Sequence, residues 1–121
     1  MNPADLFSQP DDVVRLASGE VLFREGEPGD TTFVLLEGNM DIMVGDKVVE
    51  TSRRGAIIGE MALIDQSPRG ATAVASGPAR LAKVDQRRFH FLIQQNPFFA
   101  THVMKALADR LRQMNRLLAE R

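Results

Sequence analysis

Across residues 12–85 the chain is a series of short apolar runs with a period of two, cut by glycine-bearing turns. No other feature limits the possible folds as strongly. Val21–Phe23 runs into residues 24–30, a stretch dense in turn formers. Residues 32–36 stop at Glu37 and Gly38, and Met40–Val44 meets Gly45 and Asp46 and returns over residues 47–51. Glycine at the first position of a two-residue turn accepts positive φ without steric cost, so residues 40–51 read as a hairpin. After a segment of different character, residues 55–70, strands resume over 71–75 and 79–84. Short strands at this spacing predict an antiparallel roll, barrel or sandwich.

The period changes after Asp85, which is placed to cap a helix that begins Gln86-Arg87-Arg88-Phe89. Asn96 and Pro97 close that helix and open a second, with Asn96 as cap and Pro97 at the first helical position. From there Ala100, Met104, Leu107, Leu111, Met114 and Leu118 step by alternating fours and threes. This is a narrow stripe suited to another helix. Residues 3–9, bounded by Pro3 and Pro10, read as a short helix or arm. The 121 residues are expected to form one domain: strands over 12–85, helices over 86–121.

Composition excludes several classes. There is no cysteine, hence no disulfide and no thiolate metal site. No apolar run approaches the roughly 18 residues of a membrane span, and the N-terminus lacks a basic region followed by an apolar one. A cytoplasmic protein without membrane contact is expected. The net charge of −1 hides an asymmetry: residues 1–84 carry 8 Lys/Arg against 13 Asp/Glu, residues 85–121 carry 7 against 3. Arg110, Arg112, Arg116 and Arg121 are interleaved with leucines towards a helix C-terminus, where cations suit the helix dipole, so no direct nucleic-acid contact is expected. His90 and His102, the only histidines, stand twelve apart with no third ligand, so no metal or cofactor is expected. No nucleophile–base pair is evident either, and the chain is expected not to be an enzyme.

The chemistry concentrates in residues 55–73. Gly59-Glu60-Met61-Ala62-Leu63-Ile64 reads as one helical turn entered through glycine. Its first amides lack intrahelical partners and, with the helix dipole, favour an anion. Gly59 has no Cβ to keep a ligand from the backbone. Arg69, ten residues on, carries a planar fork suited to phosphate oxygens. Glu60 cannot hold phosphate but accepts from a sugar hydroxyl, and phosphate plus sugar describes a nucleotide. The residues alone leave another reading open: Glu60 and Arg69 pair with each other or are solvated, Gly59 serves a plain turn, and Pro68 stiffens a loop.

Gly59, Glu60, Ala62, Leu63, Arg69 and Ala71, with Pro68 and Thr72, resemble the phosphate-binding cassette of the cyclic-nucleotide-binding domain family. That family includes regulatory subunits of cyclic-AMP-dependent kinase, catabolite-activator-type transcription factors and cyclic-nucleotide-gated channels. The likeness continues through Gly19 to Gly26, Gly29-Asp30, Phe33-Val34-Leu35, Gly38 and Gly55, and covers about residues 12–118. It implies a mainly β fold with flanking helices: an antiparallel β-roll, jelly-roll-like (a double-stranded β-helix), with a short phosphate-binding helix and C-terminal lid helices. It further implies that Glu60 accepts the ribose 2′-hydroxyl and that Arg69 holds the exocyclic phosphate oxygens. Backbone near Gly59, Met61, Ala62, Gly70 and Ala71 completes the cradle. One departure is Ile57, where the family often has Phe. Another is Gly70, where members that favour cyclic GMP often have Thr or Ser. Gly70 therefore tilts the expected ligand towards cyclic AMP, with Thr72 or a lid residue as possible substitutes.

The resemblance leaves two roles for the leucine stripe: packing onto the roll as a lid, or pairing with a second copy through residues 100–118. Leu107, Arg110, Leu111 and Met114 are candidate contacts to the base. The functional expectation is a sensor that relays cyclic-nucleotide occupancy through its last helix to an unidentified effector. The alternatives are a degenerate fold kept as a protein-interaction module, and the sensor portion of a transcription factor or channel.

Overall fold

A computed structural model describes residues 2–7, 12–61 and 67–119. A 3-10 helix, Pro3–Phe7, precedes eight strands. They are β1 Val13–Leu16, β2 Val21–Phe23, β3 Thr31–Glu37, β4 Met40–Val44, β5 Lys47–Ser52, β6 Ile57–Ile58, β7 Thr72–Ala75 and β8 Ala79–Asp85. Helices α1, Gln86–Gln95, and α2, Pro97–Ala119, follow. The strands form two antiparallel sheets in the orders β1-β8-β3-β6 and β2-β7-β4-β5. The fold is the β-roll that the resemblance implies.

Side-chain alternation explains the two cores. On β3, Phe33 and Leu35 point between the sheets, where they meet Met40, Ile42, Ile58, Ala73 and Leu81. Val34 and Leu36 point outward and join Ala82, Val84, Phe89, Phe99 and Val103 beneath the helices. Both faces of β3 are covered, so six consecutive residues, Thr31 to Leu36, are buried. Two strands fall where the sequence pattern named none: β1, paired with β8, and the two-residue β6, paired with β3. Ile57 and Ile58 are too short a run for periodicity to register, and only the partner strand defines them.

The hairpin turns at Gly45 with φ +63°, and Val44 pairs Lys47. Asp85 caps α1 by accepting from the Arg88 amide at 2.8 Å. Asn96 does the same for α2, accepting from the Phe99 amide at 3.2 Å. Phe99, 1% exposed, packs edge-on against Phe89 and anchors the start of α2 in the core; burying such a ring contributes roughly 2–3 kcal/mol.

The stripe on α2 does not pack onto the roll as a lid. Met104, Leu111, Met114 and Leu118 are each about 60% exposed, and only Leu107 reaches the core. The face turned to the roll carries Phe99, Val103, Leu107, Arg110 and Gln113 instead, and Gln113 donates to the Val49 carbonyl at 2.9 Å.

Candidate functional site

β6 ends at Ile58, and Gly59 after it, with a φ of +81°, swings the chain sharply and delivers Glu60 into the interior. The turn is pinned from below, because buried Thr32 donates its hydroxyl to the Ile58 carbonyl at 2.8 Å. Glu60 is fully buried. Met61 is 40% exposed, and residues 62–66, including Ala62, Leu63 and Ile64, over which the short helix is expected, lie outside the described residues.

Arg69 is held along its whole length. Its amide donates to the Glu27 carbonyl at 2.9 Å, and its carbonyl accepts from the Gly26 amide at 2.8 Å, so the 24–30 turn grips its backbone from both sides. The side chain, 7% exposed, donates through Nη1 to the Gly59 carbonyl at 3.2 Å and through Nη2 to Thr31 Oγ1 at 3.4 Å. Its guanidinium lies over Phe23, with Cζ 4.2 Å from the ring centroid. Space for it exists only because two neighbours are glycines. A Cβ at Gly29 would lie 2.3 Å from Arg69 Nε, and one at Gly59 would lie 2.4 Å from Nη1. Gly59 thus makes room for the arginine, a role distinct from the ligand approach inferred for it from sequence. Burial lowers the Arg69 pKa, and Asp30 and Glu27 oppose that shift.

Glu60 and Arg69 do not pair with each other. Glu60 Oε1 accepts from Arg110 Nη1 of α2, and the same guanidinium reaches exposed Glu50 on β5 at 3.7 Å. Burial raises the Glu60 pKa; Arg110 and the residue's own backbone amide lower it, and Glu50 raises it. Among the described residues, two side-chain polar atoms are buried without a hydrogen-bond partner, Glu60 Oε2 and Arg69 Nε. One is an acceptor and the other a donor, and they belong to the two side chains that the sequence singled out. Buried polar groups in folded proteins are rarely left unpaired, so each calls for an explanation.

Gly70 is exposed and Ala71 half-buried against the inter-sheet core. Among the proposed base contacts, Leu107 lies in the helix-side core, Arg110 sits on Glu60, and Leu111 and Met114 face outward. A cleft of about 190 Å³ separates α2 from the roll, lined by Glu50, Ile57, His102, Lys105, Arg110 and Gln113. Sequence reasoning did not assign Phe23, Thr31 and Glu50 to this region. The turn-rich 24–30 segment was the one hint that residues near 23 and 31 return to a common point.

The family model for the cyclic nucleotide-binding domain matches residues 13–96. The chain belongs to the cyclic nucleotide-binding domain family. It is 30% identical over 105 residues to the patatin-like phospholipase domain-containing protein ZK370.4 of Caenorhabditis elegans, covering 87% of this chain and 8% of that protein. It is also similar to the structure of cAMP bound PfPKA-R (29% identity, TM-score 0.76, 88% of this chain and 36% of that one). A third similar structure belongs to work on a cyclic-GMP-dependent signalling pathway that regulates bacterial phytopathogenesis (26% identity, TM-score 0.69, 82% of each chain). The chain thus spans a small part of the curated relative. A cyclic nucleotide-binding domain is a regulatory module rather than a catalytic one. No helix among the described residues is long and apolar enough to cross a membrane.

Proposed function

We propose that this domain binds cyclic AMP between Glu60 and Arg69 and reports occupancy through α2. The observation that carries the reading is the pair of buried, partnerless atoms Glu60 Oε2 and Arg69 Nε. A ribose 2′-hydroxyl donates to the first, and an exocyclic phosphate oxygen accepts from the second. The half-buried and exposed backbone at Gly59, Met61, Gly70 and Ala71 borders the same place, and Ala62 completes the cradle in the family pattern. Preference for cyclic AMP rests on Gly70, which has no hydroxyl for a guanine amino group. It also rests on Thr72, whose hydroxyl oxygen already accepts from the Glu25 amide at 2.9 Å. The domain itself performs no catalysis and needs no cofactor.

The relay follows from how Glu60 divides its oxygens. Arg110 takes Oε1, leaving Oε2 for the ribose. A hydroxyl on Oε2 stabilises the ionised carboxylate in this rotamer and so strengthens its hold on Arg110. Ligand and seated helix therefore favour each other, and reciprocity requires that loss of Arg110 weaken ligand binding. The exposed seam of Met104, Leu111, Met114 and Leu118 further supports contact through α2 with a second copy of the chain.

The test is titration calorimetry of nucleotide-free protein with cyclic AMP and cyclic GMP. Binding near one per chain with tighter cyclic AMP is expected, and Arg69→Ala should lose at least ~2 kcal/mol of it. Absence of heat and of thermal shift with both nucleotides would overturn the reading in favour of an interaction module.

A further inference from the structure

The buried arginine is oriented by more than its hydrogen bonds. Nη1 donates to the Gly59 carbonyl at 3.2 Å, and Nη2 makes a longer contact to Thr31 Oγ1 at 3.4 Å. Aromatic and backbone surfaces also bear on the guanidinium plane. Phe23, from β2 of one sheet, lies 4.2 Å beneath Cζ, and Phe33, from β3 of the other sheet, lies 5.8 Å away. The two rings stand 6.2 Å apart and tilted by 35°, a shallow aromatic cradle at the junction of the sheets. Gly29 packs so tightly on the guanidinium that a Cβ there would stand 2.3 Å from Nε, 2.4 Å from Cζ and 2.6 Å from Nη2, so only a glycine leaves space beside Nε.

The negative face of an aromatic ring attracts a guanidinium without using any of its N–H groups, which all lie in the guanidinium plane. A carboxylate partner would occupy that edge and compete with an incoming anion. Among the described residues no ion pair is formed by Arg69, although it is 7% exposed. Asp30 and Glu27 favour this buried cation without pairing with it, and the aromatic cradle adds to them while Nε has no hydrogen-bond partner among the described residues.

We infer that Phe23, supported by Phe33, is a positioning residue that holds the Arg69 guanidinium flat and keeps its Nε edge open for one exocyclic oxygen of a cyclic phosphate. This rests on the reading of Arg69 as the phosphate anchor. Phe23 touches the arginine and is not assigned to touch the ligand. Its contribution is preorganisation: a fork already oriented needs no ordering on binding and distinguishes the two exocyclic oxygens by position.

The experiment compares wild type with Phe23→Leu and Phe23→Tyr. Each is titrated with cyclic AMP and with the two phosphorothioate diastereomers, in which one or the other exocyclic oxygen is sulfur. Leucine keeps apolar bulk and removes the ring; tyrosine keeps the ring face. Phe23→Leu is expected to bind cyclic AMP roughly tenfold more weakly, the scale of a desolvated cation–π contact, and to lose most of the preference between diastereomers. Phe23→Tyr is expected to keep both. A general packing defect would weaken both diastereomers alike and leave their ratio intact, and that result overturns the proposal. Wild-type behaviour of Phe23→Leu also overturns it, while leaving the phosphate reading standing. Failure of wild type to bind any of the three ligands removes the phosphate reading itself. If Phe23→Leu does not fold, pentafluorophenylalanine at position 23 replaces it. That ring keeps its shape but reverses the charge on its face, and undiminished binding and selectivity there would refute the inference.

Discussion

Glu60 is the most exacting residue in the molecule, a carboxylate with no exposed surface that depends on one cation. Arg110→Met removes that cation while keeping most of the apolar stem. Breaking a fully buried pair from one side costs about 3–5 kcal/mol. Arg110 is 37% exposed, so water and the variant's own relaxation recover part of this, and a loss of about 2 kcal/mol is expected. For a chain of this size that lowers the melting temperature by about 8 °C. The pH dependence identifies the cause. Burial already raises the Glu60 pKa above its ordinary 4.5, so the folded state holds this proton more tightly than the unfolded chain. Stability attributable to Glu60 therefore falls as pH rises through the window above 4.5, and is regained as pH drops towards 4.5. Without Arg110 the window widens upward. The deficit of Arg110→Met relative to wild type should be largest near neutral pH and shrink on acidification, and Glu60→Gln in the same chain should recover most of it. The assay is chemical denaturation at several pH values. A deficit independent of pH, or no recovery in the double variant, would show that the ion pair is not what is lost.

Three other outcomes are expected. Gly38 turns β3 into β4 at φ +87°, with the Pro78 carbonyl oxygen 2.3 Å from where a Cβ would be; Gly38→Ala should cost about 2 kcal/mol or more, read from denaturant midpoints. Burial lowers the His102 pKa from its ordinary 6.5, outweighing the Gly55 backbone bond that raises it. The stability it contributes is therefore complete above 6.5 and lost as pH falls through the window below, and His102→Gln should flatten that part of the melting-temperature profile. Leu111, 61% exposed, should tolerate Leu111→Glu with a stability change within about 0.5 kcal/mol while sedimentation shifts from dimer to monomer; a wild type already monomeric at high concentration would remove the dimer reading.

Local chemistry was legible in the residues. The Gly45 turn, the caps at Asp85 and Asn96, the break at Pro97 and most strands follow from backbone preferences that neighbours in sequence set, and the structure has them. Glu60 and Arg69 were legible as candidates only through the resemblance to the family's cassette, because the residues alone left open a plain turn and a Glu60–Arg69 pair. The partners of those two residues were not. Arg110 lies fifty residues from Glu60, and its place on a helix read as amphipathic made it a candidate for the base rather than for the carboxylate. Phe23 and Phe33 occupy ordinary strand positions, and only the meeting of two sheets turns them towards one arginine. The leucine stripe kept its helical period but faced outward, because period states which residues share a face and not what that face meets. The sequence by itself determined where the backbone turns and where the helices begin. The tertiary structure decided which charges and rings face one another, since burial and long-range pairing arise only when segments distant along the chain close around a common core.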